Sequence, residues 1–415
     1  MDEHAVRARQ IFLAQLAALD ASLVRSMQAL EAARRSDPAH YEAAQQCFQQ
    51  LVDAQTRRLA ELRLGIATQS PAAIPWDGLA ATRSECEAIF AECLDFLGGT
   101  ILRSAGLDNG ICQVADALLA ELSLRADIGY PRLTILAPNP SFAYRTDIIR
   151  LRFPEFTVWS LPFAAHELGH YVIKRERGSR FPYLFSDILR CEEQLQDTDE
   201  PRQRQRLEEL FCDLFATYTL GPAYACSMVV LEAAPHTADV TPDAHPGDDF
   251  RVAWLLRVLE LLDSGRNYTV VINHLRACWE ACVQGAGGLV QHNAAAGNTD
   301  AAARINRWLA QMLPAIQRHF SAARFNGWPG ALSMRDELMA GGTPEEICER
   351  FARRHHRPPA LAEVVNGAWY WRLFEGDLRV PVDTLSADRS IATVDSTALG
   401  VCRVLARPHR GASDE

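Results

Sequence analysis

The stretch "FAAHELGHYV", residues 163–172, sets His166 and His170 four apart, with Glu167 directly after the first. On an α-helix, residues four apart stand one turn above each other on the same face, so both imidazoles can reach a single tetrahedral ion. At 3.6 residues per turn Glu167 is rotated by about 100° from His166, close enough to a metal-bound water without joining the ligands. Metal-assisted hydrolysis needs that division of labour. Zinc lowers the pKa of its water toward about 7, and a carboxylate takes the proton and later delivers it to the leaving amine. The flanking Phe163, Ala164, Leu168, Gly169, Tyr171 and Val172 carry no charge, so the helix can be buried and its site kept dry. Ser160, followed by Leu161 and Pro162, supplies a helix start. The competing reading of the same residues is a buried helix with two hydrogen-bonded core histidines and a solvated glutamate.

Two histidines need a third ligand. A metzincin would continue with glycine at 173 and histidine at 176, but Ile173 and Glu176 stand there, which removes that class. A glutamate on a later helix is the other solution, and "EELFCDLFATYTLGPAY", residues 208–224, supplies one. Glu209 and Asp213 are four apart. Glu209 can bind the ion while Asp213 holds the second ring nitrogen of a ligating histidine. Leu210, Phe211, Leu214 and Phe215 surround the two carboxylates, so they would face an apolar interior that carboxylates avoid without a metal or a partner. Glu208 is the rival ligand, but Cys212, four beyond it, offers no carboxylate to support a histidine.

HELGH, Glu209-x-x-x-Asp213 on a later helix, and then "DAHPGDDFRVAWLL" together resemble the gluzincin metallopeptidases, and within them the CAAX-prenyl-endopeptidase and HtpX-like group. The likeness spans roughly 160 to 260. It implies one zinc ion per chain held by His166, His170 and Glu209, with Glu167 as the general base. It further implies that His245, in the His245-Pro246 pair, donates to the substrate or the tetrahedral intermediate, and that Arg251 supports the site. Those relatives are mostly membrane-embedded, whereas this chain lacks their spans, so their substrates do not carry over.

Bulk properties narrow the remaining classes. A chain of 415 residues with 48% apolar and 23% charged residues is that of a globular protein of two or three domains. The net charge of −10 leaves no basic field for phosphates, so nucleic acid is not an expected partner. The 11 cysteines are scattered and none forms a CxxC pair, which fits free thiols in a reducing compartment. The charged N-terminus lacks the apolar core of a signal peptide. The longest uncharged run, Leu214 to Leu231, is broken by Gly221-Pro222 and reads as two buried helices, not a membrane span. A cytoplasmic location without membrane insertion follows as the expectation. One lysine against 41 arginines has the look of a GC-rich bacterial genome.

The elements that must position the site are mostly helical. Residues 1–65 read as a helical hairpin, with Asp37 as N-cap and Pro38 in the first turn, and offer a surface for self-association or a protein partner. Residues 66–78, with two prolines and glycines at 65 and 78 on either end, read as a linker. A metallopeptidase core over 79–265 and a C-terminal helical region over 266–415 complete the expected order. Strand signals are confined to "RLTILAP" (132–138), "DIIRLRFP" (147–154) and "FTVWS" (156–160), each short and two of them ended by proline. The expected fold is therefore mainly α, a gluzincin-like core with a small sheet next to the HELGH helix, flanked by helical regions. Residues 147–153 are the expected free edge on which an extended peptide could add as a strand. His355 and His356 read as a surface turn, the aromatic residues of 366–376 as packing, and His236 as a reserve site histidine. The function these features favour is a zinc-dependent metallopeptidase acting on peptide or protein substrates. The alternative is a catalytically silent, metal-stabilised scaffold that binds a partner through its helical arms; an intact Glu167 favours the enzyme.

Overall fold

Apolar residues at three and four spacing fold the first part of the chain into α1 (Glu3–Arg34) and α2 (Pro38–Thr68). The two run antiparallel: Tyr41 Oη donates to Glu31 at one end of the pair at 3.3 Å, and Arg63 meets Asp20 farther along at 3.2 Å. The structure is a computed structural model and describes residues 3–34, 38–68, 74–130, 133–138, 141–143, 146–155, 157–176, 200–234, 247–285, 299–379 and 390–407. Asp37 lies outside these, as do His236 and the His245-Pro246 pair.

The chain divides into two compact units, residues 1–112 with 133–153, and residues 113–132 with 154–415. In the first unit α3 (Trp76–Ser104) completes a three-helix layer with the hairpin, so the 66–78 segment connects two helices of one unit. Phe12, Leu16, Leu23, Val52, Leu59, Leu79 and Ile89 fill one cluster of that layer. Leu30, Tyr41, Phe48 and Phe96 fill another, together with Ile135 and Ile148 of the sheet. The sheet has three strands, β1 (Thr134–Ala137), β2 (Ser141–Ala143) and β3 (Ile148–Arg152), in the order β1-β3-β2. A side chain at position 99 would place its Cβ 2.6 Å from the Leu136 carbonyl oxygen, so Gly99 is what lets α3 lie against β1.

Two expectations about strands are overturned. Residues 148–152 are the central strand, not an edge: Ile149 pairs with Thr134 on one side, in parallel, and with Phe142 on the other, antiparallel. The second neighbour is a three-residue strand ending a few residues upstream, too short to announce itself by alternation. Residues 157–160 form turns, not a strand. The Val158 N–H donates to the distant Asp395 carboxylate at 2.7 Å, and the Ser160 N–H to the Thr157 carbonyl at 3.3 Å, so backbone groups a strand would have shared are already used. Ser160 serves the helix that follows through its carbonyl, which accepts from Phe163 N at 3.1 Å, while its hydroxyl donates backward to the Glu155 carbonyl at 2.9 Å.

Burial pushes the Asp395 carboxyl up to about 6 against the opposing pull of the Val158 N–H. A carboxyl whose folded pKa lies above its unfolded value near 3.9 binds more protons folded, so its contribution to stability is lost as pH rises from about 4 through 6. Asp395→Asn keeps an acceptor for Val158 and carries no charge. Its unfolding midpoint is expected to exceed that of the parent by a margin that grows between pH 4 and pH 7. Thermal melts of the two proteins across that range check this, and a constant difference would contradict it.

The second unit holds the rest of α4 (Ile111–Ala126), then α5 (Phe163–Glu176), α6 (Glu200–Leu220) and α7 (Pro222–Ser227). It continues through a π-helical turn at Met228–Glu232, α8 (Asp248–Leu262), α9 (Thr269–Gly285), α10 (Thr299–His319), α11 (Trp328–Ala340), α12 (Pro344–His355), α13 (Leu361–Phe374) and α14 (Ile391–Ala406). The uncharged run from Leu214 breaks at Gly221, whose φ of 68° suits glycine. Asn366 holds the break, donating to the Leu220 carbonyl at 2.7 Å and accepting from Ala223 N at 2.9 Å. Trp369 and Trp371 are buried against Trp159, which makes the 366–376 aromatics packing residues. His355 stacks on Phe351, and His356 ends α12 in the left-handed region. No described helix is long and apolar enough to cross a membrane.

Candidate metal centre

The centre is built on α5 and α6, which lie against each other along their small and apolar faces. Gly169 permits the approach. A Cβ there would stand 2.9 Å from Cys212 Cα and 3.1 Å from its Sγ, so any side chain would force the helices apart. With the backbones this close, the carboxylate of Glu209 reaches both histidines of the neighbouring helix. His166 Nε2 lies 3.2 Å from one of its oxygens and His170 Nε2 lies 3.4 Å from the other. All three residues are buried, at 7%, 8% and 8% exposure, and Glu167 is 8% exposed. Four ionisable side chains so far from water call for a compensating charge.

Behind His166 stands a second layer of polar groups. Asp213, with no exposure at all, lies 3.0 Å from His166 Nδ1 through one carboxylate oxygen. Arg251 from α8 grips the same carboxylate with two bonds, Nε to one oxygen at 2.9 Å and Nη2 to the other at 2.6 Å. Tyr224 from α7 stacks its ring on His166 and brings its hydroxyl within 2.8 Å of Nδ1 and 2.5 Å of Asp213. The tyrosine has one hydroxyl proton, which goes to the carboxylate. Its oxygen then accepts from His166 Nδ1–H, so once the ring is neutral its lone pair falls on Nε2, on the side of Glu209. That tautomer is the one a metal ligand needs.

The electrostatics follow from burial and pairing. Burial alone would raise the Asp213 pKa, but Arg251 first, and then His166, hold it well below the usual carboxylate range. Burial would lower the His166 pKa, yet Asp213 and Glu209 outweigh that and push it up to about 10. Asp213 and Arg251 neutralise each other, so with no ion present the proton on His166 is what balances Glu209, at the place where a cation would sit. Two imidazole nitrogens and a carboxylate are donors that zinc accepts, and a divalent ion on His166 Nε2 would replace the proton that the carboxylates otherwise hold there.

Of the residues expected from sequence, the structure thus brings His166, Glu167, His170, Glu209, Asp213 and Arg251 into one place on α5, α6 and α8. His245 lies outside the described residues. Glu208, the rival, is half-buried on the neighbouring side of α6, while Glu209 faces the histidines. Two residues of the centre are not predicted from sequence. Tyr224 follows the Gly221-Pro222 break, and no periodicity relates its face to that of α6. Cys212 is three beyond Glu209 and shares its helix face, so spacing alone is enough to find it. The His166 and His170 ring nitrogens and the Cys212 Sγ lie within 4.8 Å of one another.

Tyr224→Phe would keep the stacked ring and remove only the oxygen. With Asp213 still near Nδ1, zinc affinity is expected to fall about 10-fold, at the lower end of what losing an outer partner costs. Competition against a chromophoric chelator measures it, and an unchanged affinity would mean that Asp213 alone sets the ring. Comparison of the chain with family models, with curated proteins and with solved structures finds no match.

Proposed function

We propose that this chain is a zinc-dependent metallopeptidase in which His166, His170 and Glu209 hold the ion and Glu167 is the general base. The observation that carries the reading is the convergence of the Glu209 carboxylate on both HELGH histidines, at 3.2 and 3.4 Å, from a separate helix. Bound there, zinc supplies Lewis acidity, which lowers the pKa of a water toward about 7 and polarises a carbonyl oxygen.

The protein's own residues do the rest. Glu167, next to His166 but turned to a different side of α5, accepts the proton of the attacking water on a carboxylate oxygen and returns it to the departing amine nitrogen. Tyr224 and Asp213 fix the His166 ring from behind, and Arg251 keeps Asp213 ionised in a place where burial alone would protonate it. The apolar surroundings of α5 and α6 exclude bulk water, which strengthens each of these interactions. By the family resemblance, His245 would donate to the substrate oxygen.

Metal analysis of the purified protein, run beside a digest of an unbiased peptide library by the parent and by Glu167→Gln, tests the reading. Near-stoichiometric zinc and cleavage lost only in the variant are the expected results. Zinc without any Glu167-dependent cleavage would turn the centre into a structural one and the protein into a scaffold.

A further inference from the structure

We propose that Cys212 is a second, softer third ligand of this centre, competing with Glu209, so that the site also takes a thiophilic divalent ion through His166, His170 and Cys212. The inference rests on the metal reading above and adds the chemistry by which the centre chooses its ion. Three observations support it.

The first is position. The Sγ of Cys212 and the ring nitrogens of His166 and His170 lie within 4.8 Å of one another. Around a tetrahedral ion, with bonds of about 2.0 Å to nitrogen and 2.3 Å to sulfur, such donors stand roughly 3.5 Å apart. Closing that gap asks for movements of about an ångström in side chains alone. The second is that the thiol is fixed there. The absence of a side chain at Gly169 lets the Cys212 backbone sit directly on α5, and a Cβ at 169 would fall 3.0 Å from Cys212 Cβ and 3.1 Å from Sγ. The third is that the thiol is fully buried, and no hydrogen bond is seen for it among the described residues. Its hydrogen-bonding capacity is therefore not already spent on the fold.

Glu209 and Cys212 are three apart on α6 and so share the face that meets α5. A carboxylate and a thiolate side by side offer one pair of imidazoles two kinds of third ligand. Oxygen suits zinc, manganese or magnesium, whereas sulfur suits zinc, cadmium and other soft ions. The Cys212 proton leaves to solvent on binding, as it does at any thiolate site, and no oxidation or reduction is involved. A purely packing role against Gly169 would need no sulfur at all; alanine would fill it.

Cobalt(II) titration of the full chain reads the ligand directly, because a thiolate on cobalt gives a near-ultraviolet charge-transfer band that imidazole and carboxylate ligands do not. The band is expected in the parent protein, to be stronger in Glu209→Ala, where the competing carboxylate is gone, and to vanish in Cys212→Ser while cobalt still binds. Cadmium displacing zinc should likewise become harder in Cys212→Ser than in the parent. Cobalt bound in both the parent and Glu209→Ala without a charge-transfer band would overturn the inference and leave the zinc reading intact. No cobalt or zinc bound to the parent at all would overturn both. Serine is close to cysteine in size, and the parent and Glu209→Ala spectra decide the question even if that variant fails to fold.

Discussion

Glu167→Gln is expected to lower peptide hydrolysis by about 100- to 10,000-fold while zinc content and thermal stability stay those of the parent. The amide has the shape of the carboxylate and cannot accept a proton. Loss of activity with everything else retained would therefore isolate the proton transfer. The geometry says why the rest should be retained. The contacts of His166 and His170 with Glu209 do not run through Glu167. Stopped assays on any peptide cleaved by the parent, with metal measured on the same samples, give the answer. Undiminished turnover would take Glu167 out of the chemistry. Loss of zinc along with activity would instead make it part of the metal's support. The expectation is steep because a general base acts only in the reacting complex: its removal costs rate, not binding.

The centre is legible in the sequence to the extent that a helix is a ruler. HELGH fixes two imidazoles on one face, and Glu209 with Asp213 repeats the same spacing on a second helix, so spacing alone predicts two matched faces. Gly169 reads in the sequence only as one more uncharged flank, and its part in the helix contact emerges from the structure. What the ruler cannot measure is distance along a broken chain. Tyr224 lies past Gly221, whose positive φ turns the chain, and so its arrival above His166 depends on how Asn366 of a distant helix pins the break. Cys212 is within the ruler's reach, three beyond Glu209, yet at four beyond Glu208 it counts only as a missing carboxylate. The sheet shows the same limit. β1 and β3 carry their β-branched residues openly, whereas β2 is three residues long and becomes a strand only because β3 has a free side to offer it. Without β2, whose residues give no signal, β3 reads as an edge. The helix at Trp328–Ala340, with proline near its start and mixed polarity, likewise carries no clear signal.

Arg251→Met is expected to destabilise the protein by about 3–5 kcal/mol, the range for removing one partner of a buried ion pair. Methionine fills much of the volume of the arginine stem, so the loss would report charge more than packing. Asp213 is wholly buried, and Arg251 supplies two of its bonds; Tyr224 and His166 remain but cannot by themselves balance a carboxylate so far from water. The pH dependence carries the sign of the argument. In the parent, Arg251 and His166 hold the Asp213 pKa well below its unfolded value. The stability this provides is therefore present above about pH 4 and is lost as pH falls through the lowered value. Without Arg251 the aspartate would resist ionisation, so the variant's deficit should be largest at neutral pH and shrink on acidification toward pH 4. Urea unfolding of both proteins at pH 7 and pH 4.5 measures it. The double variant Asp213→Asn with Arg251→Met should recover part of the loss at pH 7, since no uncompensated charge is left inside. A deficit under about 1 kcal/mol, or one that grows on acidification, would mean that Arg251 is not what lets Asp213 stand ionised behind His166.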